Sequence, residues 1–248
     1  MDALHSIIAK MPPLSRAAFF LDFDGTLIDL AETPDGVHVP CDLAPMLTAL
    51  RAACGGAMAI VSGRSISVLD AFLPGLGGPM VGGHGAEWWL DARPVLHPHT
   101  GGPAVTRLQS AARALAGEYP ALLIEDKPAG VVVHFRADPS LDRVAQAAAE
   151  GWCATETGFE VHPAKMAFEI RPDDVGKDAA VARLMADPPF AGRTPVFFGD
   201  DTTDEVAIAA VEQMGGLGVK VGEGVTAASV RLAAPRDVRD LIGLLISE

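Results

Sequence analysis

The feature that most constrains the fold is a short apolar segment, residues 17–21, that stops abruptly at Asp22, Asp24 and Gly25. A continuous apolar run of this length is typical of a strand buried on both faces of a parallel sheet. Three later apolar runs end in polar or glycine-containing loops, at residues 57–61, 196–198 and 217–221. Segments with helical spacing separate these runs. We therefore predict an α/β fold with a doubly wound, Rossmann-like parallel sheet, in which ligands bind at the carboxyl ends of the strands.

The middle of the chain follows a different pattern. Segments with helical spacing at residues 103–118 and 141–150 alternate with hairpin-like segments at 122–136 and 159–171. This order predicts a small α+β cap domain with an antiparallel sheet, inserted into the parallel core. The predicted division is residues 1–102 for the first part of the core, 103–172 for the cap and 173–248 for the second part of the core.

The formal net charge of -13 restricts the possible partners. A uniformly acidic surface repels nucleic-acid backbones and anionic membranes, so we expect neither as a partner. An anionic substrate would need a local positive site. No apolar run approaches the roughly 20 residues that span a bilayer, and the first residues lack the apolar core of a secretory signal.

Cys41, Cys54 and Cys153 lack the spacing of a metal site. We expect free thiols, buried or half-buried, in a cytoplasmic protein. The sequence is compatible with a monomer and leaves the oligomeric state open.

The strongest chemical signal is the motif Asp22-Phe23-Asp24-Gly25-Thr26, which follows the first predicted strand. If the chain is still extended there, the two carboxylates point into one space, and their repulsion favours a bound cation. Mg²⁺ prefers oxygen ligands and keeps phosphate oxygens in its shell. One carboxylate could attack phosphorus while the other acts as general acid and base, and Thr26 could offer its hydroxyl and amide to the phosphate. The alternative is a strand-to-turn transition with solvated aspartates.

Three further groups fit phosphate chemistry. Ser62 follows the second strand, where a hydroxyl and helix N-terminal amides bind phosphate oxygens, although the position also suits an ordinary helix cap. Lys177 begins a predicted helix and could neutralise a phosphate, or could be a solvated helix end. Residues 200–205 contain four acids. That density suits a cation site better than the one or two acids that a helix N-terminus favours.

These motifs, in this order, resemble the haloacid-dehalogenase-like phosphatase superfamily. The resemblance implies Asp22 as nucleophile and Asp24 as general acid and base. It also implies that Lys177 and the pair Ser62-Gly63 bind the phosphate. The metal site that it implies is a Mg²⁺ held by Asp22, Asp200 and the backbone carbonyl of Asp24, with Asp201 and Asp204 as additional or indirect partners.

The chain is more narrowly similar to trehalose-6-phosphate phosphatases, over nearly all of its length. Matching segments lie in both parts of the core and in the cap, at residues 20–27, 61–65, 83–87, 133–136, 168–172 and 193–201. Because the match includes the predicted cap, where substrate choice is made, it carries more weight than a match to the core alone. It implies a small-molecule sugar phosphate, trehalose 6-phosphate, as the substrate.

Charged residues alternate along the predicted cap strands. Alternate residues of a strand share a face, which groups Glu125 with Lys127, His134 with Arg136, and Lys165 with Glu169 and Arg171. Such a face suits a sugar, whose hydroxyls both donate and accept, but an ordinary solvated polar face is the alternative. The resemblance implies that the sugar is bound by Glu125, Lys127, Arg136, Lys165 and Glu169. It adds Arg64 and His84 as contributors from the core.

Three alternative functions stay open at this point. The chain could hydrolyse another sugar phosphate, such as a sucrose or glucosylglycerate derivative, and a substrate panel would separate the two. It could be a non-catalytic sensor that binds a phosphosugar, although the presence of Asp22, Asp24, Lys177 and Asp200 disfavours this. It could also be a phosphomutase, which would isomerise its substrate rather than release phosphate.

Overall fold

The computed structural model of the chain describes residues 2–31, 36–90 and 94–247. By its internal contacts the chain divides into two compact units. The first unit consists of Met1–Val95 together with Gly176–Glu248, and the second consists of Leu96–Val175. That the second unit works as a substrate-selecting cap stays a prediction.

The described residues form twelve strands and eight α-helices, besides short 3-10 turns. The strands are β1 (Ala17–Leu21), β2 (Met58–Val61), β3 (Met80–Gly82), β4 (Glu87–Trp89), β5 (Pro94–Leu96), β6 (Leu123–Lys127), β7 (Gly130–His134), β8 (Phe159–Ala164), β9 (Ala167–Pro172), β10 (Thr194–Gly199), β11 (Leu217–Val221) and β12 (Val230–Leu232). The helices are α1 (Asp2–Ile8), α2 (Leu43–Ala53), α3 (Ile66–Phe72), α4 (Pro103–Glu118), α5 (Asp142–Thr155), α6 (Lys177–Met185), α7 (Thr202–Gln213) and α8 (Pro235–Leu245).

The first unit is built on an eight-stranded sheet with the order β12-β11-β10-β1-β2-β3-β4-β5. Neighbouring strands from β12 to β3 are parallel, and β4 runs antiparallel to β3. Because β1 lies between β10 and β2, it is a central strand, and its carboxyl end lies midway along one edge of the sheet. The predicted α/β fold with a parallel sheet is therefore confirmed.

The apolar side chains of β1 alternate between two hydrophobic clusters, one on each face of the sheet. Phe19 and Leu21 belong to a cluster that includes side chains of α2, α3 and α8. Phe20 belongs to a second cluster, with side chains of α6 and α7. All five residues of β1 are fully buried, which explains why the segment is a continuous apolar run rather than an alternating one. The carboxyl end of β1, next to Asp22, is therefore held in a fixed position.

The second unit contains a four-stranded antiparallel sheet with the order β6-β7-β9-β8. One face of this sheet packs against α4 and α5 through buried side chains that include Val131, Val133 and Ile170. Two predicted strand boundaries are wrong. The strand β7 ends at His134, so Arg136 lies beyond it, and Lys165 lies in the turn between β8 and β9. The turn includes Met166 with φ +59°, a left-handed backbone that interrupts the alternation of a strand.

The three cysteines are free. Cys54 is buried and Cys153 is partly buried, as expected, but Cys41 is exposed, contrary to the prediction. Among the helices described above, none combines the length and the apolar character needed to cross a membrane.

Candidate active site

A pocket of about 320 Å³ opens where the carboxyl ends of the central strands meet. It is lined by Asp22, Asp24, Leu30, Ser62, Gly63, Arg64, His84, Lys177, Asp200 and Asp201. All of these residues belong to the first unit. Nine of them are candidates from the sequence, and they come from separate segments that lie as far apart as residues 22 and 201. The parallel sheet therefore brings together groups that the sequence only suggested as partners.

The centre of the site is the ammonium group of Lys177, at the start of α6. It donates to Asp22 Oδ1 at 2.8 Å and to Asp204 Oδ1 at 2.6 Å. The side chains of Lys177 and Asp22 are 3% and 5% exposed, and that of Asp204 is fully buried. Burial alone would lower the pKa of Lys177, but the nearby carboxylates outweigh burial and raise that pKa. Lys177 is therefore a fixed positive charge.

Asp204 organises the loop between β10 and α7. Its Oδ2 accepts hydrogen bonds from the backbone N–H groups of Asp200 and Asp201, each at 3.1 Å. Asp201 in turn caps α7, because its Oδ1 accepts from the backbone N–H groups of Thr203 and Asp204. Gly199 permits this packing, since a Cβ at that position would lie 2.3 Å from the Cβ of Asp204. The acidic side chains of this loop thus hold the loop and the first turn of α7 in place.

Three carboxylates converge to form a candidate metal site. One oxygen from each of Asp22, Asp200 and Asp204 lies within 4.8 Å of the others. Burial raises the pKa of Asp22 to about 6 against the opposing effect of Lys177. Burial and the charge of Asp204 likewise raise the pKa of Asp200 to about 6. Three carboxylates around one ammonium leave net negative charge, and an all-oxygen set of this kind fits Mg²⁺.

Two predicted metal partners lie outside the three-carboxylate group. The group does not include the side chain of Asp24 or that of Asp201, whose carboxylate caps α7. The roles of the Asp24 backbone carbonyl and of Asp201 at the metal stay predictions. Asp22 and Asp24 line the same pocket, but their carboxylates are engaged separately, because Asp22 pairs with Lys177 and Asp24 pairs with Arg64. The two carboxylates thus reach one pocket, as the motif suggested, but each has its own cationic partner.

The Arg64 guanidinium holds Asp24 with two hydrogen bonds. Its Nε lies 2.6 Å from Oδ2, and its Nη2 lies 2.7 Å from Oδ1. The same guanidinium lies 5.1 Å from the ring centroid of Phe72, a distance at which a cation and an aromatic ring attract. Bidentate pairs of this kind fix orientation as well as charge. Arg64 was predicted to contact the substrate, and in this structure it orients the carboxylate of Asp24.

The remaining core candidates divide into two groups. Ser62 is almost fully buried at the end of β2, and its Oγ accepts from the backbone N–H of Arg64 at 3.2 Å. Gly63 allows His84 to approach, because a Cβ there would lie 2.5 Å from the imidazole ring. These residues line the pocket, whereas Thr26 does not. Thr26 is fully buried and its hydroxyl has no hydrogen-bond partner among the described residues, so its contact with the phosphate stays a prediction.

The second unit presents a polar face, opposite to the face that packs on its helices. Glu125 lies opposite Val132, Val132 lies opposite Glu169, and Glu169 lies opposite His162, so these residues share one face. Glu125 accepts from His134 Nε2 at 3.0 Å and pairs with the ammonium of Lys127 at 2.5 Å. Arg136 and Lys165 are exposed in the turns described above. The strand alternation that grouped Glu125 with Lys127 is therefore confirmed, whereas the alternation inferred for Arg136 and Lys165 is not.

Sequence reasoning missed several functional-looking groups. Glu87 is buried and accepts from the backbone N–H of Ile66 at 2.7 Å, which supports the start of α3 beside Ser62. Lys220 is buried within β11, and its ammonium lies 2.5 Å from the carbonyl oxygen of Asp200. A lysine inside an otherwise apolar strand was a signal that could have identified it. His162 and Glu160 were also missed; they interact on the polar face of the second sheet, where His162 also contacts Arg171, which the strand alternation had grouped with Glu169.

Comparison with known proteins identifies the family. The sequence profile of trehalose-phosphatases matches residues 20–238, which include every element of the site. The chain belongs to the trehalose-phosphatase family. The family's relatives share a core of the haloacid-dehalogenase type, in agreement with the fold described above.

Individual relatives match most of the chain. A "Probable trehalose-phosphate phosphatase" of Sinorhizobium fredii is 38% identical over 90% of this chain and 84% of its own length. The "Trehalose-6-phosphate phosphatase" of Escherichia coli is 36% identical over 93% of this chain and 87% of its own length. Among solved structures, the trehalose-6-phosphate phosphatase of Aspergillus fumigatus matches with a TM-score of 0.78 at 25% identity, covering 99% of this chain and 97% of that one. This family membership makes the chain an enzyme of the trehalose-phosphatase class.

Proposed function

We propose that the chain hydrolyses trehalose 6-phosphate to trehalose and inorganic phosphate through a phosphorylated Asp22, with Mg²⁺ as cofactor. One observation carries the proposal: the ammonium of Lys177 bridges the buried carboxylates of Asp22 and Asp204, beside the carboxylate of Asp200. Because the Lys177 ammonium offsets the negative charge of Asp22, an anionic phosphate group can approach this carboxylate. The names of the relatives at 36% and 38% identity support the choice of substrate.

In the first step, a carboxylate oxygen of Asp22 attacks phosphorus and the bond from phosphorus to the sugar oxygen breaks. The sugar oxygen takes a proton from Asp24, so that trehalose leaves as a neutral alcohol. Arg64 holds Asp24 in one orientation through both carboxylate oxygens. Lys177 offsets the negative charge that develops as the phosphoryl group is transferred. Ser62, with the amides after β2, binds a phosphate oxygen.

In the second step, water attacks the phosphorus of the acyl phosphate. Asp24 accepts the proton of that water, inorganic phosphate leaves, and the carboxylate of Asp22 is restored. The carboxylates of Asp22 and Asp200 and the backbone carbonyl of Asp24 would hold the Mg²⁺, with Asp204 close to them. When bound, Mg²⁺ would neutralise phosphate charge and orient the phosphoryl group for in-line attack.

For the sugar, we propose that the polar face of the second unit supplies binding groups. Its charged side chains offer both donors and acceptors, which suits the hydroxyls of a disaccharide. Glu125 and Lys127 pair with each other on this face, so binding a sugar would exchange that contact for contacts to hydroxyl groups. The proposed set is Glu125, Lys127 and Glu169 on the strands, together with Arg136 and Lys165 in the turns that follow β7 and β8.

The test is phosphate release from a panel of sugar phosphates, with and without Mg²⁺. The panel includes trehalose 6-phosphate and sucrose 6-phosphate, and Asp22→Asn is the matched variant because it removes the nucleophile and keeps the shape. We expect strong, metal-dependent preference for trehalose 6-phosphate, which Asp22→Asn abolishes. Comparable turnover of many sugar phosphates would contradict the substrate assignment. Binding without turnover would favour a sensor, and isomerisation without release would favour a phosphomutase.

A further inference from the structure

Lys220 is a buried lysine that the proposed reaction does not use. It lies in β11, where Val219 and Val221 point into a hydrophobic cluster, and its own side chain is 4% exposed. A charged group buried to this degree requires compensating partners. Its position next to the candidate metal site therefore calls for a physical explanation.

The partners of Lys220 are both in the segment that carries the acids. Its Nζ donates to the backbone carbonyl of Asp200 at 2.5 Å and lies 3.1 Å from Glu205 Oε1. Glu205 is also anchored, because its Oε2 accepts from the backbone N–H of Ala227 at 3.1 Å. Lys220 thus connects the strand β11 to the loop that follows β10.

These contacts fix the backbone of Asp200 on both sides of its side chain. The N–H of Asp200 donates to Asp204 Oδ2, and the carbonyl of Asp200 accepts from Lys220. Because the N–H and the carbonyl of Asp200 are both hydrogen-bonded, the backbone of Asp200 is fixed. The direction in which its side chain projects is fixed with it. Gly25 packs against the same carboxylate with no room for a side chain.

We propose that Lys220 is a positioning residue, which holds the Asp200 carboxylate in the geometry that binds the divalent cation. The inference rests on the proposed function, because it takes Mg²⁺ as the ligand. Groups that orient metal ligands in this way typically contribute about 10- to 100-fold in metal affinity.

The direction in which Mg²⁺ affinity changes when Lys220 is removed distinguishes a positioning role from a purely electrostatic one. If Lys220 acted only as a positive charge beside the acids, its removal would make the site more negative and Mg²⁺ would bind more tightly. If Lys220 positions Asp200, its removal frees the loop and Mg²⁺ binds more weakly. A purely structural role would lower thermal stability and leave Mg²⁺ affinity unchanged.

The experiment is calorimetric titration of Mg²⁺ into the whole protein without substrate. The first variant is Lys220→Met, which keeps the apolar stem and removes the donor. The second is Lys220→Gln, whose side chain is one bond shorter than lysine, so that its amide does not reach the Asp200 carbonyl. The matched control is Arg231→Met. Arg231 is the register partner of Lys220 on β12, but it donates to the carbonyls of Gly222 and Gly224 instead.

We expect the dissociation constant of Mg²⁺ to rise about 10- to 100-fold in both Lys220 variants and to stay at the wild-type value in Arg231→Met. If Lys220→Met does not fold, Lys220→Gln, which keeps a polar group beside Glu205, provides the same comparison. Unchanged or tighter binding in the folded Lys220 variants would overturn the inference. If the wild-type protein itself binds no Mg²⁺, the proposed cofactor fails, and this inference fails with it. If it binds Mg²⁺ but releases no phosphate, only the proposed reaction fails.

Discussion

Replacing Gly25 by alanine would place a methyl group inside the space that the Asp200 carboxylate occupies. A Cβ on Gly25 would lie 2.1 Å from Asp200 Oδ2 and 2.4 Å from its Cγ. Carbon atoms in contact prefer separations of about 3.5–4.0 Å, so the carboxylate would have to move by about 1 Å or more. Asp200 is held by backbone contacts to Asp204 and Lys220, and hence the displacement would disturb the three-carboxylate group as a whole.

Two effects of Gly25→Ala have separate magnitudes. The backbone at Gly25 has φ +75°, and a side chain in that region costs about 1–2 kcal/mol. In a chain of this size such a cost lowers Tm by about 2–8 °C. Misplacement of a reacting or ligand group by about 1 Å can reduce catalysis about 100-fold. We therefore expect a modest loss of stability and a large loss of kcat/KM for trehalose 6-phosphate.

The assay measures Tm, Mg²⁺ affinity and kcat/KM for Gly25→Ala beside Gly75→Ala. Gly75 has nearly the same backbone angle, φ +77°, but a Cβ there meets nothing within 4 Å. Both variants should therefore lose stability through the backbone angle, and Gly25→Ala should lose more because its Cβ also displaces the Asp200 carboxylate. Only Gly25→Ala should lose Mg²⁺ affinity and activity. Equal activity of the two variants would refute the argument that Gly25 is required by its contact with the Asp200 carboxylate.

Further predictions concern the other groups of the site. Lys177→Met leaves two buried carboxylates without their cation and should destabilise the metal-free protein by about 3–5 kcal/mol; denaturant unfolding that shows no loss would contradict the buried pairing. The folded pKa of Asp22 lies above its unfolded value, so unfolding is accompanied by loss of a proton and metal-free stability should fall as pH rises from about 4 through 6. Mg²⁺ should therefore raise Tm more at about pH 7.5 than at about pH 5, and an equal rise would contradict this. Arg64→Ala should lower kcat more than it raises KM, yet cause little further loss in an Asp24→Asn background; additive losses in the double variant would show that Arg64 acts independently of Asp24.

The parts of the fold that could be predicted are those with a strong local pattern. The apolar run of β1 and the helical spacing of α4 were predicted with their observed bounds, because burial on two faces and on one face leave different periodicities. Short elements such as β4 and β12, of three residues each, were missed. Such segments are too short to show a period, and they become strands only because a neighbouring strand offers hydrogen bonds.

The site could be predicted as a set of residues but not as a set of contacts. Asp22 and Lys177 are 155 residues apart in sequence, and no local pattern shows that the ammonium also binds Asp204. The pairing of Asp24 with Arg64 was likewise not predicted, because it depends on how β1 and β2 lie side by side. Lys220 was missed for the same reason, since its partners lie in the loop that follows the neighbouring strand and in the first turn of α7.

The central claim is that Asp22 carries the phosphoryl group, and the most direct test is to find that group on the protein. The wild-type enzyme is mixed with trehalose 6-phosphate and Mg²⁺, quenched rapidly in acid and analysed by peptide mass spectrometry. We predict a phosphate on the peptide that contains Asp22, present transiently in the wild type and absent in Asp22→Asn. A phosphate on another residue would contradict the claim, as would full hydrolytic activity in Asp22→Asn.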